Sequence, residues 1–221
     1  MDLDEQLIKM GRLCSIYEKQ FIGFSDIVPY IDNDWNLTKS PILASILLGI
    51  GPQIEAMSKI IFNTLGFSTE KDRPYFLDYF SDLDKKRMLT SHSVILKNSQ
   101  YQGYSILHPF NEAKTSDNNF DWWEAYNKIK HTLPDGLEYG TLNNTILGLA
   151  ALSILIHIGY EIKGNLGKGV DFILDFKNWR ITKAGVFEGG EEWPPVQNPT
   201  HQILKWKSNL FFFDHVLTVP I

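Results

Sequence analysis

The sequence predicts a mainly α-helical protein that carries a small β-containing appendage at its C-terminal end. Three observations lead to this fold class. Apolar residues recur every three or four positions in several stretches of residues 1–163, which is the spacing of amphipathic helices. The stretch from Leu137 to Ile162 is apolar on most sides, as a central helix would be. After Gly164, short apolar runs separated by glycine and proline pairs favour strands.

Composition indicates a globular protein with a sizeable core. Of 221 residues, 43% are hydrophobic and 13% aromatic, too many for an intrinsically disordered chain. Lysine and arginine number 21 against 26 acidic residues, a net charge of −5. The surface as a whole is therefore not that of a general nucleic-acid or anionic-membrane binder, which leaves open a local basic patch. The single cysteine, Cys14, excludes an internal disulfide and is expected to be a buried apolar residue.

The sequence pattern favours a cytoplasmic location. Residues 1–5 are acidic where a secretory signal would be basic. The most apolar run, Thr145 to Gly159, is shorter than the ~20 residues of a membrane span and contains His157. We therefore expect a reducing compartment and no membrane partner.

Three helices are predicted before residue 90. The apolar stripe of the first consists of Leu3, Leu7, Met10, Leu13 and Tyr17. Residues 22–37 then read as a loop. The second helix begins near Ser40, a good N-cap, and ends near Gly66, a good C-cap. Pro52 inside it predicts a kink or two abutting helices. The third is a short helix within residues 74–89.

The rest of the first unit contains a hairpin-like insertion and two more helices. The insertion covers about residues 92–110, where two apolar runs flank a polar turn. The next helix starts at Asp121, which with Glu124 fits a capping box. The last runs over about residues 137–162.

The chain is expected to divide near residue 163. Residues 1–163 would form an antiparallel helical bundle, and residues 164–221 a β-containing appendage packed on it. The strand-like segments of the appendage are residues 170–176, 203–207 and 210–219.

Common catalytic motifs do not occur. Gly167 and Lys168 are followed by Gly169 where a phosphate-binding loop needs serine or threonine. No two of the six histidines have the three- or four-residue spacing that places both on one helix face. No Gly-x-Ser-x-Gly elbow is present. We expect no metal and no cofactor.

The segment WWEAYNKIKH, residues 122–131, is the best candidate for a functional site. Asn127 and His131 are four residues apart and share a helix face, with Lys128 and Lys130 beside them. An imidazole can transfer a proton near neutral pH, and lysine stabilises a phosphate that gains charge, so the set suits RNA cleavage. In the alternative interpretation, Asn127 and His131 only satisfy buried backbone groups near the helix end.

WWEAYNKIKH and the long apolar helix after it, LEYGTLNNTILGLAALSILIHIGYEI, resemble the HEPN superfamily. The segment IGPQIEAMSKIIFNTLG resembles another HEPN helix, with Glu55 before Lys59. The resemblance covers about residues 40–66 and 120–163 and excludes the β-like tail.

The resemblance implies an all-helical bundle that often dimerises. Many HEPN proteins are metal-independent endoribonucleases of toxin–antitoxin and antiphage systems. Their motif is an arginine, often followed by asparagine, and a histidine a few residues later. Asn127 matches the polar position and His131 the histidine, whereas Tyr126 stands at the arginine position.

Two functional hypotheses follow. In the first, the chain acts on RNA in bacterial defence or as a toxin, with His131 as the general acid or base and Asn127 as an orienting residue. Lys128, Lys130 and Tyr126 would contact substrate, and Glu55 would orient His131 or Lys128. In the second, a non-catalytic helical domain binds a protein partner. Expected partners are RNA, a second copy of the chain, or a protein such as an antitoxin.

Overall fold

The computed structural model describes residues 3–25, 27–28, 35–72, 74–87, 89–96, 106–110, 120–163, 179–181, 187–189 and 211–214. Within them the helices are α1 Leu3–Ser25, α2 Pro41–Thr64, α3 Phe76–Arg87, α4 Asp121–His131 and α5 Leu142–Ile162. Two 3-10 turns lie at Leu89–Ser91 and Asp135–Tyr139. The strands are β1 Ser93–Leu96, β2 Ile106–Leu107, β3 Trp179–Ile181, β4 Phe187–Gly189 and β5 Phe211–Asp214. The protein is mainly α-helical, as the sequence predicts.

Helix α5 occupies the centre of the core and packs along α2. Every residue from Thr145 to Tyr160 is buried. The facing pairs along the two helices are Leu43 with Thr145, Ile50 with Gly148, and Met57 with Gly159. Residue numbers increase together in these pairs, so α2 and α5 run in the same direction. Gly148 permits the close approach, since a Cβ there would lie 2.8 Å from Ile50 Cδ1.

Helix α1 runs opposite to α2 and α5. Its Leu7 packs against Gly159, near the end of α5, and Cys14 Sγ lies 3.6 Å from Ser153 Oγ, further towards its start. Cys14 is fully buried, so the predicted burial is confirmed. Leu13, expected in the buried stripe, is 41% exposed. The prediction was wrong because the stripe that faces both neighbouring helices is offset by one residue. It consists of Leu7, Gly11, Cys14, Glu18, Phe21 and Phe24.

Helix α1 ends later than predicted, whereas α2 has its predicted ends. Helix α1 continues to Ser25, so the loop begins later than residue 22. Helix α2 is one helix through Pro52, whose ring is exposed, so the predicted alternative of two abutting helices is wrong. Beside it, the Gln53 side-chain amide donates to Gly49 O at 3.0 Å, whereas the carbonyl that loses its backbone donor at Pro52 is that of Leu48. Gly66 adopts a φ of 78°, as a C-terminal glycine should.

Helix α4 starts at Asp121, as predicted, but its predicted cap and the predicted start of α5 are wrong. Helix α4 is preceded by Phe120, which makes no side-chain capping bond, so the capping box of Asp121 and Glu124 is not formed. Helix α5 begins at Leu142 instead of residue 137. Gly140 interrupts the run because it packs on Ala44, where a Cβ would lie within 2.5 Å of the Ala44 side chain. Thr141 then caps α5 by accepting from Asn144 N at 3.1 Å.

The hairpin-like insertion contains an antiparallel pair. In β1 and β2, Val94 faces Leu107. β1 also pairs with β5 through Val94 and Phe213, while β3 and β4 pair separately. The predicted turn at Asn98 and Ser99 and the strand-like segments 170–176 and 203–207 lie outside the described residues.

Two helices are long and apolar enough to cross a membrane by length and composition. They are α2 and α5, and 56% and 89% of their most apolar windows are buried inside the protein. Core helices of globular proteins meet the same criteria, so this finding is weak support for a membrane protein.

Candidate functional site

Helix α4 is fixed by an aromatic cluster at its N-terminal end. Trp122 and Trp123 lie against Phe76 of α3, with ring centroids 5.7 and 4.9 Å away. The Trp122 indole N–H donates to Pro109 O at 2.8 Å, so its one polar atom is satisfied. Phe120 stacks on Trp122 at 5.7 Å. These contacts make α4 a rigid support for the side chains on its outer face.

The C-terminal end of α4 is held by the turn that follows it. The Thr132 hydroxyl donates to Lys128 O at 2.6 Å, and Gly136 N donates to Thr132 O at 2.9 Å. A Cβ on Gly136 would lie 2.7 Å from Lys128 O, so only glycine lets the Asp135–Tyr139 turn approach so closely. His131, the last residue of α4, is therefore at the end of a fixed helix.

Asn127, Lys130 and His131 form an outward-facing group, which we call the α4 patch. Asn127 is half-buried, and Lys130 and His131 are exposed. Neither Asn127 nor His131 makes a side-chain hydrogen bond within the described part of the chain. They therefore do not serve the buried backbone groups that the alternative interpretation assigned to them. Their polar atoms are available to a ligand.

Tyr126 belongs to the core and is not a substrate-contacting residue, contrary to the prediction. It is 2% exposed, and its ring covers Gly51 of α2. Lys130 Nζ lies 5.5 Å from the ring centroid on the outer side. Burial raises the pKa of Tyr126, the charge of Lys130 opposes this rise, and Glu55 adds to it. Tyr126 thus has a packing role in this fold.

Glu55 lies beside tyrosine hydroxyls. The pKa of Tyr79 is raised by burial first, and then by Asp78 and Glu55. No hydrogen bond or ion pair joins Glu55 to Lys128 or His131 among the described residues, so the expected orienting role is not formed. Glu55 faces the Tyr126 side of α4 because it is four residues beyond Gly51, one turn along α2.

Lys128 is already engaged. Its Nζ lies 2.7 Å from Glu124 Oε1 and 4.6 Å from the centroid of the Tyr139 ring. The hydrogen bond to Glu124 is the main cause that raises the pKa of Lys128. The two predicted phosphate-binding lysines therefore differ in their partners: Lys128 is ion-paired, whereas Lys130 makes no ion pair with any described residue and contacts only the Tyr126 side chain, over whose ring it lies and to which it hydrogen-bonds. Lys130 is the better placed to receive a phosphate.

An open polar depression borders α4 next to the patch, and the sequence did not predict it. Its volume is about 430 Å³. We call it the α4 depression. Its lining residues are Asn36, Lys39, Asp121, Glu124, Ala125, Lys128, Glu138, Tyr139, Thr141 and Asn144. They come from three separate segments, so no local sequence signal could have revealed the cavity.

Hydrogen bonds connect the segments that line the depression. Backbone bonds join the segment before α2 to the start of α5: Ser40 N donates to Gly140 O at 3.1 Å, and Leu142 N donates to Thr38 O at 2.9 Å. The Asn144 amide donates to Tyr139 O at 3.0 Å. At the rim, Lys39 Nζ and Glu138 Oε2 are 3.9 Å apart and both side chains are about half exposed.

Within the described residues, no group of three or more His, Cys, Asp or Glu side chains could hold a metal ion. The chain matches no family model, no curated protein and no solved structure. The chemistry of α4 and its surroundings is therefore the basis for a functional proposal.

Proposed function

We propose that the chain is a HEPN-like protein that cleaves RNA without a metal ion, in a bacterial defence or toxin–antitoxin setting. One observation carries the proposal: His131, Asn127 and Lys130 face solvent together at the end of a rigidly held helix, and the protein makes no structural use of the His131 imidazole within its described part. Exposed polar groups on a fixed support are typical of binding and catalytic sites.

The proposed reaction uses the nucleophile that RNA itself carries. His131 accepts the proton of a ribose 2′-hydroxyl, whose oxygen attacks the adjacent phosphorus. The new O2′–P bond forms as the P–O5′ bond breaks, and the departing O5′ takes a proton from solvent. The products are a 2′,3′-cyclic phosphate and a 5′-hydroxyl end. Lys130 stabilises the charge that develops on the phosphate, and Asn127 orients the ribose or the imidazole.

The same proposal extends to fold and partners. The direction of α1, opposite to that of the mutually parallel α2 and α5, supports an antiparallel arrangement of α1 in a HEPN-like bundle, residues 1–163. The pairing of β5 with β1 supports a β-containing segment 164–221 packed on it. Its partners would be RNA, a second copy and an antitoxin-like protein. A cytoplasmic protein without a membrane partner agrees with the burial of most of α5.

The test is RNA cleavage in excess EDTA on a mixture of structured and single-stranded RNA. We expect the wild-type protein to cut, the cuts to end in cyclic phosphate, and His131→Ala to abolish cutting. His108→Ala is the matched control, because His108 is an exposed histidine outside α4. A well-folded wild type that leaves RNA intact, or a His131→Ala variant that cuts equally well, would overturn the proposal.

A second candidate function is a non-catalytic interaction module. The observation in its favour is that a buried tyrosine, Tyr126, stands at the motif's arginine position, so neither a guanidinium nor an exposed side chain is present there. Under this alternative, the protein would leave RNA uncut, and light scattering would detect a stable complex with a second copy or with an antitoxin-like protein. Replacement of patch residues would then weaken that complex.

A further inference from the structure

We propose that the α4 depression binds an unpaired guanine base of the RNA strand whose phosphate lies at the α4 patch. This inference rests on the proposed function, because it names the feature of RNA that the same site would select. It adds a recognition site that the motif residues themselves do not supply.

The position of the depression relative to His131 is the first reason. Lys128 lines the depression and is three residues before His131, less than one helical turn of about 5 Å. Glu124 and Lys128 lie on the side of α4 next to the face that carries Asn127 and His131. One strand can therefore reach both places, with a phosphate at His131 and a neighbouring base at the depression. Unpaired bases that are splayed out of a strand are what sequence-specific RNA-binding proteins usually read.

The chemistry of the rim is the second reason. Lys39 and Glu138 present an ammonium and a carboxylate side by side, and their 3.9 Å separation is longer than a good hydrogen bond. The pair can open for a ligand at little cost, because exposed ion pairs contribute little. The Watson–Crick edge of guanine offers two N–H donors for a carboxylate and, next to them, the O6 acceptor for an ammonium. Uracil presents two carbonyl oxygens and a single N–H, which match this pair less well.

The rigidity of the remaining wall is the third reason. Lys128 is fixed between Glu124 and the Tyr139 ring, and the Asn144 amide is bonded to Tyr139 O. These groups shape the cavity without reorganising when a base enters. The volume of about 430 Å³ is within the range of small-molecule sites and leaves room for a purine.

The experiment measures binding separately from cleavage. Fluorescein-labelled eight-nucleotide RNAs, all uridine except for one central G, A or C, are titrated with the His131→Ala protein in EDTA, and anisotropy gives the dissociation constants. We expect the G-containing RNA to bind about tenfold tighter than oligouridine. Glu138→Gln should reduce this ratio to near one and leave oligouridine binding almost unchanged. Lys39→Met should reduce it as well.

A matched control is present in α1. Glu5 and Lys9 form an exposed pair of the same kind, with Nζ–Oε1 of 2.8 Å. This pair lies near the C-terminal end of α5, since Asp4 pairs with Lys163 there. The depression, by contrast, includes Thr141 at the N-terminal end of α5. Glu5→Gln and Lys9→Met carry the same charge changes and should keep the guanine preference.

The outcomes separate this proposal from the proposed function. A guanine preference that depends on Glu138, in a wild-type protein that never cuts RNA, keeps the depression as a base-binding site and removes the nuclease. Cutting that depends on His131 without any base preference, or a preference that Glu138→Gln leaves unchanged, overturns the guanine site. Guanosine monophosphate that binds more tightly than the G-containing RNA would identify a free nucleotide as the ligand and overturn the RNA assignment.

Discussion

Replacing Gly51 by alanine is expected to destabilise the protein, although the same change in an open helix position would stabilise it. Gly51 lies inside α2 under the ring of Tyr126. A glycine in a helix interior costs about 1 kcal/mol relative to alanine. Helix propensity alone therefore predicts a gain of about 1 kcal/mol for Gly51→Ala.

Packing works in the other direction. A Cβ on Gly51 would lie 2.2 Å from Tyr126 Cε2, whereas carbon atoms in contact prefer about 3.5–4.0 Å. The Tyr126 ring cannot easily move away from the new methyl group, because the residue is almost fully buried and the centroid of the Trp123 ring lies 4.9 Å from its own. Overpacking of this kind costs typically about 1–3 kcal/mol. Because the ring is confined, we expect the higher part of this range and a net loss of about 1–2 kcal/mol.

The assay is thermal unfolding followed by circular dichroism, with Gly23→Ala as the matched control. Gly23 is a helical glycine of α1, and no heavy atom lies within 4 Å of the position that a Cβ would take there. In a chain of this size 1 kcal/mol changes Tm by about 2–4 °C. We expect Gly51→Ala to lower Tm by about 2–8 °C and Gly23→Ala to raise it by a few degrees. A Gly51→Ala protein as stable as Gly23→Ala would refute the packing between α2 and α4.

Two further predictions concern charge. Burial lowers the pKa of His157 below its ordinary 6.5, and Glu161, whose Oε1 is 3.5 Å from Nε2, opposes part of this effect. The unfolded chain then binds a proton at His157 more readily than the folded protein does, so the stability that His157 contributes is full above pH 6.5 and is lost as pH falls below it. Between about pH 7.5 and 5.5, Tm should therefore fall less in His157→Gln than in the wild type. An equal fall of Tm in both proteins would contradict the lowered pKa of His157. Lys130→Gln should weaken RNA binding and reduce the slope of log K for RNA binding against log salt concentration by about 1. Lys128→Gln should change this slope less, because Lys128 is held by Glu124. Equal slopes in the two variants would contradict this difference.

Local sequence signals identified the helices because each helix depends mainly on its own apolar spacing. Helix α2 was located by Ser40, which does accept a capping bond from Ile42 N, and by Gly66. The boundaries that failed depend on distant partners. The break before α5 exists because Gly140 meets Ala44, about a hundred positions earlier in the chain. No window of neighbouring residues contains that information.

The sequence predicted which residues of the candidate site share a helix face, but not which of them are buried or ion-paired. A spacing of four residues guarantees that Asn127 and His131 share a face of α4, and the structure leaves both on the outside. Spacing could not show that Tyr126 points into the core, because that depends on the gap which Gly51 leaves in α2. Spacing could not show either that Lys128 forms its ion pair with Glu124, since a lysine at this position has several rotamers and several partners within reach.

The sequence by itself therefore determined the mainly helical fold class, the burial of Cys14 and the shared face of Asn127 and His131, because these follow from periodicity along one segment. Only the tertiary structure decided which lysine is ion-paired, that Tyr126 is a core residue, and that a polar depression borders α4. Each of these depends on residues that are remote in the chain and meet only after α2, α4 and the start of α5 have packed together.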